Sequence, residues 1–447
     1  MAFLAALLFI QESDRTHFDQ SSGEVTLAAD PSRLAEHSRP TKWHVVTDMV
    51  VFRGRLLASA CYDFDSEWFL KPWAYSNGAQ ILEYSPESDE WKLLHEMAES
   101  MVLNVRVVDD RVLIPEFFPL NGRSRLVHAF DGKEWGTLGL LPAQNWHVMD
   151  VLRFGGALYV SGSWRDESPG DDPRWWKGYG RVFRSADDGR TWTEIHRTKE
   201  NGRVLDMVEF RGRLYANEIG KQFIAWDGKK WEEIPVRLEP KPPVEPKLGS
   251  AHLMVFADRI VAINSALYYL FDGKKWTSHT PGYVDLWREG KTLYGLRDDG
   301  HVCATRDAVA WERVTKEGVP AKEFARMAEK GRPLHRGAVA VHRGRLFVGT
   351  GAEGRIYAAP YHGKGRFVSK PQEIDLSKGG RLTWDAVVPK GTSLKVRVRS
   401  AESMEALDRA AWADAPAKGH RWVQWRADLA SDGKRTPVAR NVRIAGP

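Results

Sequence analysis

Apolar and polar positions alternate through most of the chain in short runs that end at Gly or Asp-Gly. Residues 204–234 show the unit: VLDMVEF and RLYANEI meet at Arg211-Gly212, KQFIAW follows, and Asp227-Gly228 turns the chain into KKWEEI. A period of two bounded by tight turns predicts strands joined as hairpins, and four in succession predict an antiparallel meander. The first strand and turn recur at Asp48-MVVFRGRL, Asn104-VRVVDDRV, Asp150-VLRFGGAL, Asp206-MVEFRGRL, His252-LMVFADRI, Asp285-LWREGKTL and Ala338-VAVHRGRL. The strand core stays constant while the spacing between starts varies, so insertions fall in loops, as in repeat architectures generally.

The ends of the repeats align as well. A turn followed by Trp recurs at Trp91, Trp135, Trp192, Trp231, Trp276 and Trp311, and Phe367 in GKGRF stands for the seventh copy. Each Trp is expected to pack between neighbouring four-stranded sheets, whose edges radial closure protects. The chain therefore reads as all-β: a seven-bladed β-propeller over 42–368, followed by a β-sandwich over 369–447. Residues 1–14 form a candidate signal segment. The segment 15–41 belongs to no repeat and is expected to pair with the C-terminal sandwich.

One turn is more specific. Ser185-Ala-Asp187-Asp-Gly189-Arg-Thr191-Trp192 matches S-x-D-x-G-x-T-W and resembles the Asp-box (BNR) of sialidase-like and related propellers. The motif marks a fold, because its polar side chains cap a turn and its Trp packs. Beyond residue 368, Trp384-Asp385-Ala386, Gly391-Thr392-Ser393, Trp412, Trp425-Arg426 and Thr436-Pro437 resemble the small β-sandwich module that bacterial surface proteins carry beside propellers. That resemblance implies a jelly-roll-like accessory domain of a kind sometimes sugar-binding.

Composition changes the picture little. The net charge of +6 resides in residues 370–447, which hold 15 Lys and Arg against 9 Asp and Glu, while the rest of the chain balances. A basic end without an aromatic-interleaved stripe does not predict a nucleic-acid partner. Cys61 and Cys303 are the only cysteines and fall in different repeats, so two buried thiols are expected rather than a disulfide or zinc site. Met1–Ile10 (MAFLAALLFI) is too short to span a membrane and is similar to the apolar core of a secretory signal, although it lacks a basic flank and a small-x-small cleavage site. A secreted, periplasmic or cell-surface location follows from that reading, and an apolar first strand is the alternative.

In a propeller the start of each first strand rings the channel mouth. Here that ring is Asp48, Asn104, Asp150, Asp206, His252, Asp285 and Ala338. Its oxygen ligands suit Ca²⁺ or Mg²⁺ with waters, Ca²⁺ being the candidate ion at the channel mouth, with Asp150, Asp206 and Asp285 as candidate metal ligands. They suit sugar hydroxyls equally, or one carboxylate tuned to a general acid by its neighbours. A fourth reading has each Asp accept backbone N–H groups of the next blade. Glu116, Glu218 and Arg297 align near the end of the second strand on the same face. Two insertions there, 61–78 and 161–180, carry Trp68, Trp73, Trp164, Trp175 and Trp176 among acidic and basic residues, and long loops on a rigid scaffold are where binding resides. The Pro-rich link 237–247 and a short helix at 321–330 reach this face too. His44, His147 and His335-Arg336 precede first strands and are expected to be structural.

Three functions fit: a non-catalytic propeller binding carbohydrate or another extracellular ligand, a glycoside hydrolase or polysaccharide lyase, and a protein-interaction scaffold. A sialidase is disfavoured, since its F/Y-R-I-P motif is missing (LIP at 113–115 lacks the Arg) and sialidases have six blades. For a lyase, His147, Tyr159 and His252 are available bases, with nothing to select among them.

Overall fold

The computed structural model describes residues 10–19, 22–40, 45–61, 78–97, 102–117, 125–142, 147–165, 178–198, 202–218, 222–236, 238, 252–263, 267–320, 323, 337–351 and 354–446. The fold is all-β, and the described residues form eight four-stranded antiparallel sheets and one of five strands. Sheets 1 to 6 are meanders of consecutive strands that start at Val45–Phe52, Arg106–Val108, His147–Phe154, Val204–Phe210, His252–Phe256 and Asp285–Glu289. Sheet 7 starts at Ala338–His342. First strands of consecutive sheets touch in chain order, and the seventh touches the first, so the sheets close a ring as a β-propeller.

Sheet 7 departs from the expected pattern. Its fourth strand is Ala35–Ser38, which pairs with Ile356–Ala358. Phe367 does not close that sheet. It lies in Lys364–Ser369, which pairs with Ile10–Asp14 on one side and Trp422–Ala430 on the other. The segment before residue 41 is thus divided. Ala35–Ser38 completes the ring, while Ile10–Asp14, Thr16–Asp19 and Glu24–Leu27 enter the two C-terminal sheets. The suggested leader and the first strand share residues 10–14.

Sheet 8 contains Ile10–Asp14, Lys364–Ser369 with Gln372–Glu373, Trp422–Ala430 and Ser393–Ala401. Sheet 9 runs Thr16–Asp19, Glu24–Leu27, Val438–Ala445, Arg381–Val387. Val25, Leu27, Phe367, Leu382, Val396, Trp425, Leu429 and Ala439 from both form one apolar cluster, which continues into Leu296, Val302, Val339 and Val348 of sheets 6 and 7. The C-terminal sheets are therefore welded to the ring where it closes.

The repeated Trp residues pack against the preceding sheet. Trp91 meets Phe347 of sheet 7, Trp135 joins the cluster between sheets 1 and 2, Trp192 the cluster between 2 and 3, and Trp276 meets Phe223 of sheet 4. Burying an aromatic of this size at each boundary supplies the apolar area that one four-stranded sheet lacks. Asp turns set the strands up: Asp131, Asp227, Asp272 and Asp307 each accept two backbone N–H groups at 2.7–2.9 Å from the residues two and three positions on.

In the turn Ser185–Trp192 the Ser185 hydroxyl donates to Asp187 Oδ1 (2.7 Å) and accepts from Gly189 N (2.8 Å), and the Thr191 hydroxyl donates to Asp187 Oδ2 (2.6 Å). Trp192 Nε1 donates to Gly139 O at 2.8 Å, fastening the turn to sheet 2's outer connection.

Candidate functional site

Ring residues lie near the starts of the first strands, but not always at the first position. Asp48 and Asp150 are each the fourth residue of their strand, with a register shift just before them, and a shift also spans Asp206. A bulge at these points puts two residues opposite one and re-aims a side chain, here a carboxylate toward the next sheet. Asp48 Oδ2 accepts from Val105 N at 2.7 Å, Asp150 Oδ2 from Met207 N at 2.8 Å, Asp206 Oδ2 from Leu253 N at 2.9 Å, and Asp285 Oδ2 from Val339 N at 2.7 Å. Asn104 Nδ2 donates to Met149 O at 2.9 Å. Ala338 has no polar group to offer, and there Val46 N donates to Thr350 O at 2.9 Å. One kind of clasp thus recurs around the ring, with each carboxylate accepting from the residue just after the next ring position.

A residue outside the aligned ring dominates its electrostatics. Arg106, two positions after Asn104, reaches from sheet 2 across to sheets 3 and 4. Its Nε donates to Asp150 Oδ1 at 2.7 Å and its Nη2 to Asp150 Oδ2 at 3.0 Å, and the same Nη2 donates to Asp206 Oδ1. His252 Nδ1 stands 3.0 Å from Asp206 Oδ2. Asp150 and Asp206 are buried, whereas Arg106 keeps 24 % of its side chain exposed. The guanidinium lies between Asp150 and Asp206, and Asp285 sits three sheets away from Asp150. Among the described residues no group of three or more His, Cys, Asp and Glu has the geometry to hold a metal ion.

Burial drives the ring's titration. It lifts Asp48 to about 6, against the pull of the Val105 N–H, His252 and Arg106. It lifts Asp285 to about 7, with His252 opposing and Asp48 adding to the rise. Asp150 is raised to about 7 by burial and by repulsion from Asp206, against Arg106. For Asp206 burial is outweighed by Arg106 and His252, and its carboxyl lies well below the usual range. Burial would lower His252, but Asp206 raises it to about 9. Arg106 and His252 thus favour the ionised form of Asp206, while burial opposes ionisation of the other ring carboxyls.

The second-strand positions separate. Glu116 is buried and its Oε2 accepts from Arg125 N (2.8 Å) and Leu126 N (3.1 Å) of its own sheet. Glu218 is buried beside Gly202, where an added Cβ would stand 2.9 Å from Glu218 Oε1. Arg297 pairs with Asp299 at 2.8 Å. His147 is buried, stacked on Phe117 at 4.3 Å, with Nδ1 2.7 Å from Phe117 O, a structural role. Both cysteines are buried, and neither is in a disulfide.

Trp68, Trp73, Trp175 and Trp176 lie outside the described residues, as do His44, His335, Arg336, most of the link 237–247 and all of the helix 321–330 except Glu323. Trp164 is placed by its backbone, paired with Tyr179 in sheet 3. Both insertions join the second and third strands of their sheets, the end at which the first strands begin. Arg106 was invisible to sequence alignment because its partners come from two other sheets; the only local signal was an Arg in an otherwise apolar first strand.

A scan against protein-family models gave no match, and a search of curated proteins gave none. Among solved structures, the chain is similar to YCF48 from Cyanidioschyzon merolae, with a TM-score of 0.44 and 11 % identity over 73 % of this chain and 98 % of that one. It is similar to YCF48 bound to D1 peptide, with a TM-score of 0.44 and 14 % identity over 74 % and 98 %. It is also similar to the WD40 β-propeller domain of Doa1, with a TM-score of 0.43 and 12 % identity over 74 % and 96 %.

Proposed function

We propose that the chain is a seven-bladed propeller with a C-terminal β-sandwich that serves as a non-catalytic binding scaffold, taking its ligand on the face where the first strands begin. One observation carries this reading. The ring carboxylates accept backbone N–H groups of the next sheet, and Asp150 and Asp206 also hold Arg106. Groups so engaged are suited to holding sheets in register, and they leave recognition to the loops above them.

A carbohydrate ligand is the favoured occupant. What supports it is the entry of two Trp-rich insertions on this same face, since flat aromatics beside carboxylates match the C–H faces and hydroxyl edges of pyranose rings. Secretion or surface attachment rests on Met1–Ile10 alone.

The test is retention of the purified protein on a polysaccharide panel, with and without EDTA, while new reducing or unsaturated ends are measured. Retention without product, lost in Trp175→Ala but kept in Asp48→Asn, is the expected result. New chain ends would make the protein an enzyme, and loss with EDTA would place a cation in the site. Retention of nothing on the panel would move the scaffold's ligand to a protein.

A further inference from the structure

The chain ends in a sheet whose last strand is open. Arg381–Val387 pairs only with Val438–Ala445, and among the described residues no strand lies on its other side. Its residues do not alternate in burial: Arg381, Thr383, Trp384, Asp385 and Ala386 are all exposed, and only Leu382 is buried. Trp384 is 41 % exposed and Val388, just beyond, 50 %. The corresponding edge of sheet 8 is different. Val398, in its outermost strand, exchanges two backbone hydrogen bonds with Ala413, at 2.9 and 2.7 Å, and that edge is covered.

The outward face beside the open edge is cationic at its Arg381 end, while Asp385, further along the same strand, lies opposite Arg440 and accepts from Asn441 Nδ2 at 2.7 Å. Thr383 pairs directly with Arg443 and Arg381 with Ala445, so Arg381 and Arg443 are diagonal neighbours on one face. Leu382 and Ile444 point the other way, into the shared core. Arg440, further along the same sheet, meets Glu24 at 3.6 Å, but Arg381 and Arg443 have no ion pair among the described residues. Two like charges at this spacing repel, and among the described residues no carboxylate forms an ion pair with either.

We propose that this edge takes up an acidic, extended protein segment as an added strand of sheet 9. Free backbone N–H and C=O groups supply the ladder, as in β-augmentation. Arg381 and Arg443 receive Asp or Glu on the outward face, and Trp384 and Val388 cover apolar side chains of the incoming strand. A second copy of this chain is a poor occupant, because pairing edge to edge brings the same cationic faces together. The site is separate from the channel face and does not depend on the ligand bound there.

The probe is a fluorescent dodecapeptide of alternating Glu and Val, titrated against the full chain and read by anisotropy. Controls are its Lys-Val counterpart and the same Glu-Val peptide N-methylated at alternate residues, which keeps the charge but cannot join a sheet. The expected result is saturable binding of the Glu-Val peptide, quenching of Trp384 emission, and at least tenfold weaker binding of both controls. Arg381→Glu with Arg443→Glu should weaken binding at least tenfold without changing the melting temperature, since both residues are exposed, and Arg443→Gln should have an intermediate effect. Equal binding of the N-methylated peptide, or full competition by polygalacturonate against both peptides, would show a polyanion patch and overturn strand addition. So would binding that survives the double charge reversal, absence of binding to the folded wild-type chain, or an edge-paired dimer that excludes the peptide.

Discussion

Two residues show how much hangs on single side chains. Arg106 neutralises Asp150 and Asp206 where both are buried, and removing one partner of a buried ion pair is far costlier than replacing the whole pair. Arg106→Met is expected to lower stability to urea by about 3 kcal/mol, and Asp150→Asn in the same chain should restore part of it. Additive losses would mean that the two side chains do not interact. Gly139 is the second case. A Cβ there would stand 2.1 Å from the Arg190 carbonyl oxygen and 2.9 Å from that of Gly189, inside the turn that Trp192 fastens. Gly139→Ala should cost about 2 kcal/mol through overpacking against backbone that cannot retreat, measured by thermal or urea unfolding. No change would show that the turn can move away.

At the scale of elements, the strand Ala35–Ser38 owes its place to a buried polar cluster. Arg345 Nη1 donates to Asp89 Oδ1 at 2.5 Å and to the Tyr84 hydroxyl at 2.8 Å, and His37 Nε2 stands 2.8 Å from the same Asp89 oxygen. Arg345 lies over the ring of Tyr361 at 4.7 Å. His37, Asp89 and Arg345 keep 6, 8 and 3 % of their side chains exposed, so removing Arg345 leaves the Asp89 carboxylate buried without its guanidinium, with His37 and the Tyr84 hydroxyl as its remaining partners. Arg345→Met is expected to release the strand before the ring unfolds, seen as faster tryptic cleavage after Arg33 at temperatures where circular dichroism is unchanged. Unaltered cleavage would assign the strand's retention to its backbone ladder. This element also marks where sequence reading stops. The repeats, their turns and their Trp residues were legible because each is a local pattern repeated in register. AEHS has no alternation and is extended only because Ile356–Ala358 offers it a free edge, a non-local cause that propensity does not record. Phe367 fitted the repeat by spacing and aromatic character, yet lies in another sheet. Asp48, Asp150, Asp206 and Asp285 were legible as a ring, but their partners, and Arg106 among them, depend on sheets far apart in sequence.

The closed ring as a whole should respond to pH through its buried charges. Asp48, Asp150 and Asp285 have folded-state values raised above the ordinary carboxylate range, to about 6, 7 and 7, so the folded state holds their protons longer than the unfolded chain does. Their contribution is complete below pH of about 4 and is lost as pH rises toward 7. His252, raised to about 9, adds stability below its unfolded value near 6.5 that fades as pH rises through 9. Asp206, held low, acts oppositely, and its contribution disappears only in stronger acid. The ring's contribution should therefore be larger at pH 5 than at pH 8, with Asp285→Asn flattening the lower part of the decline in urea titrations. A greater stability at pH 8 that Asp285→Asn leaves untouched would refute this assignment. The seventh sheet has one further consequence, for ancestry. Because its outer strand comes from before the first repeat and its inner strands from the last, a repeat duplicated or lost between them leaves the junction intact, whereas one appended at either end separates the two halves of that sheet. Relatives with a different number of sheets should therefore differ by whole repeats in the middle of the gene, and the segments around residues 35–38 and 338–358 should be inherited together.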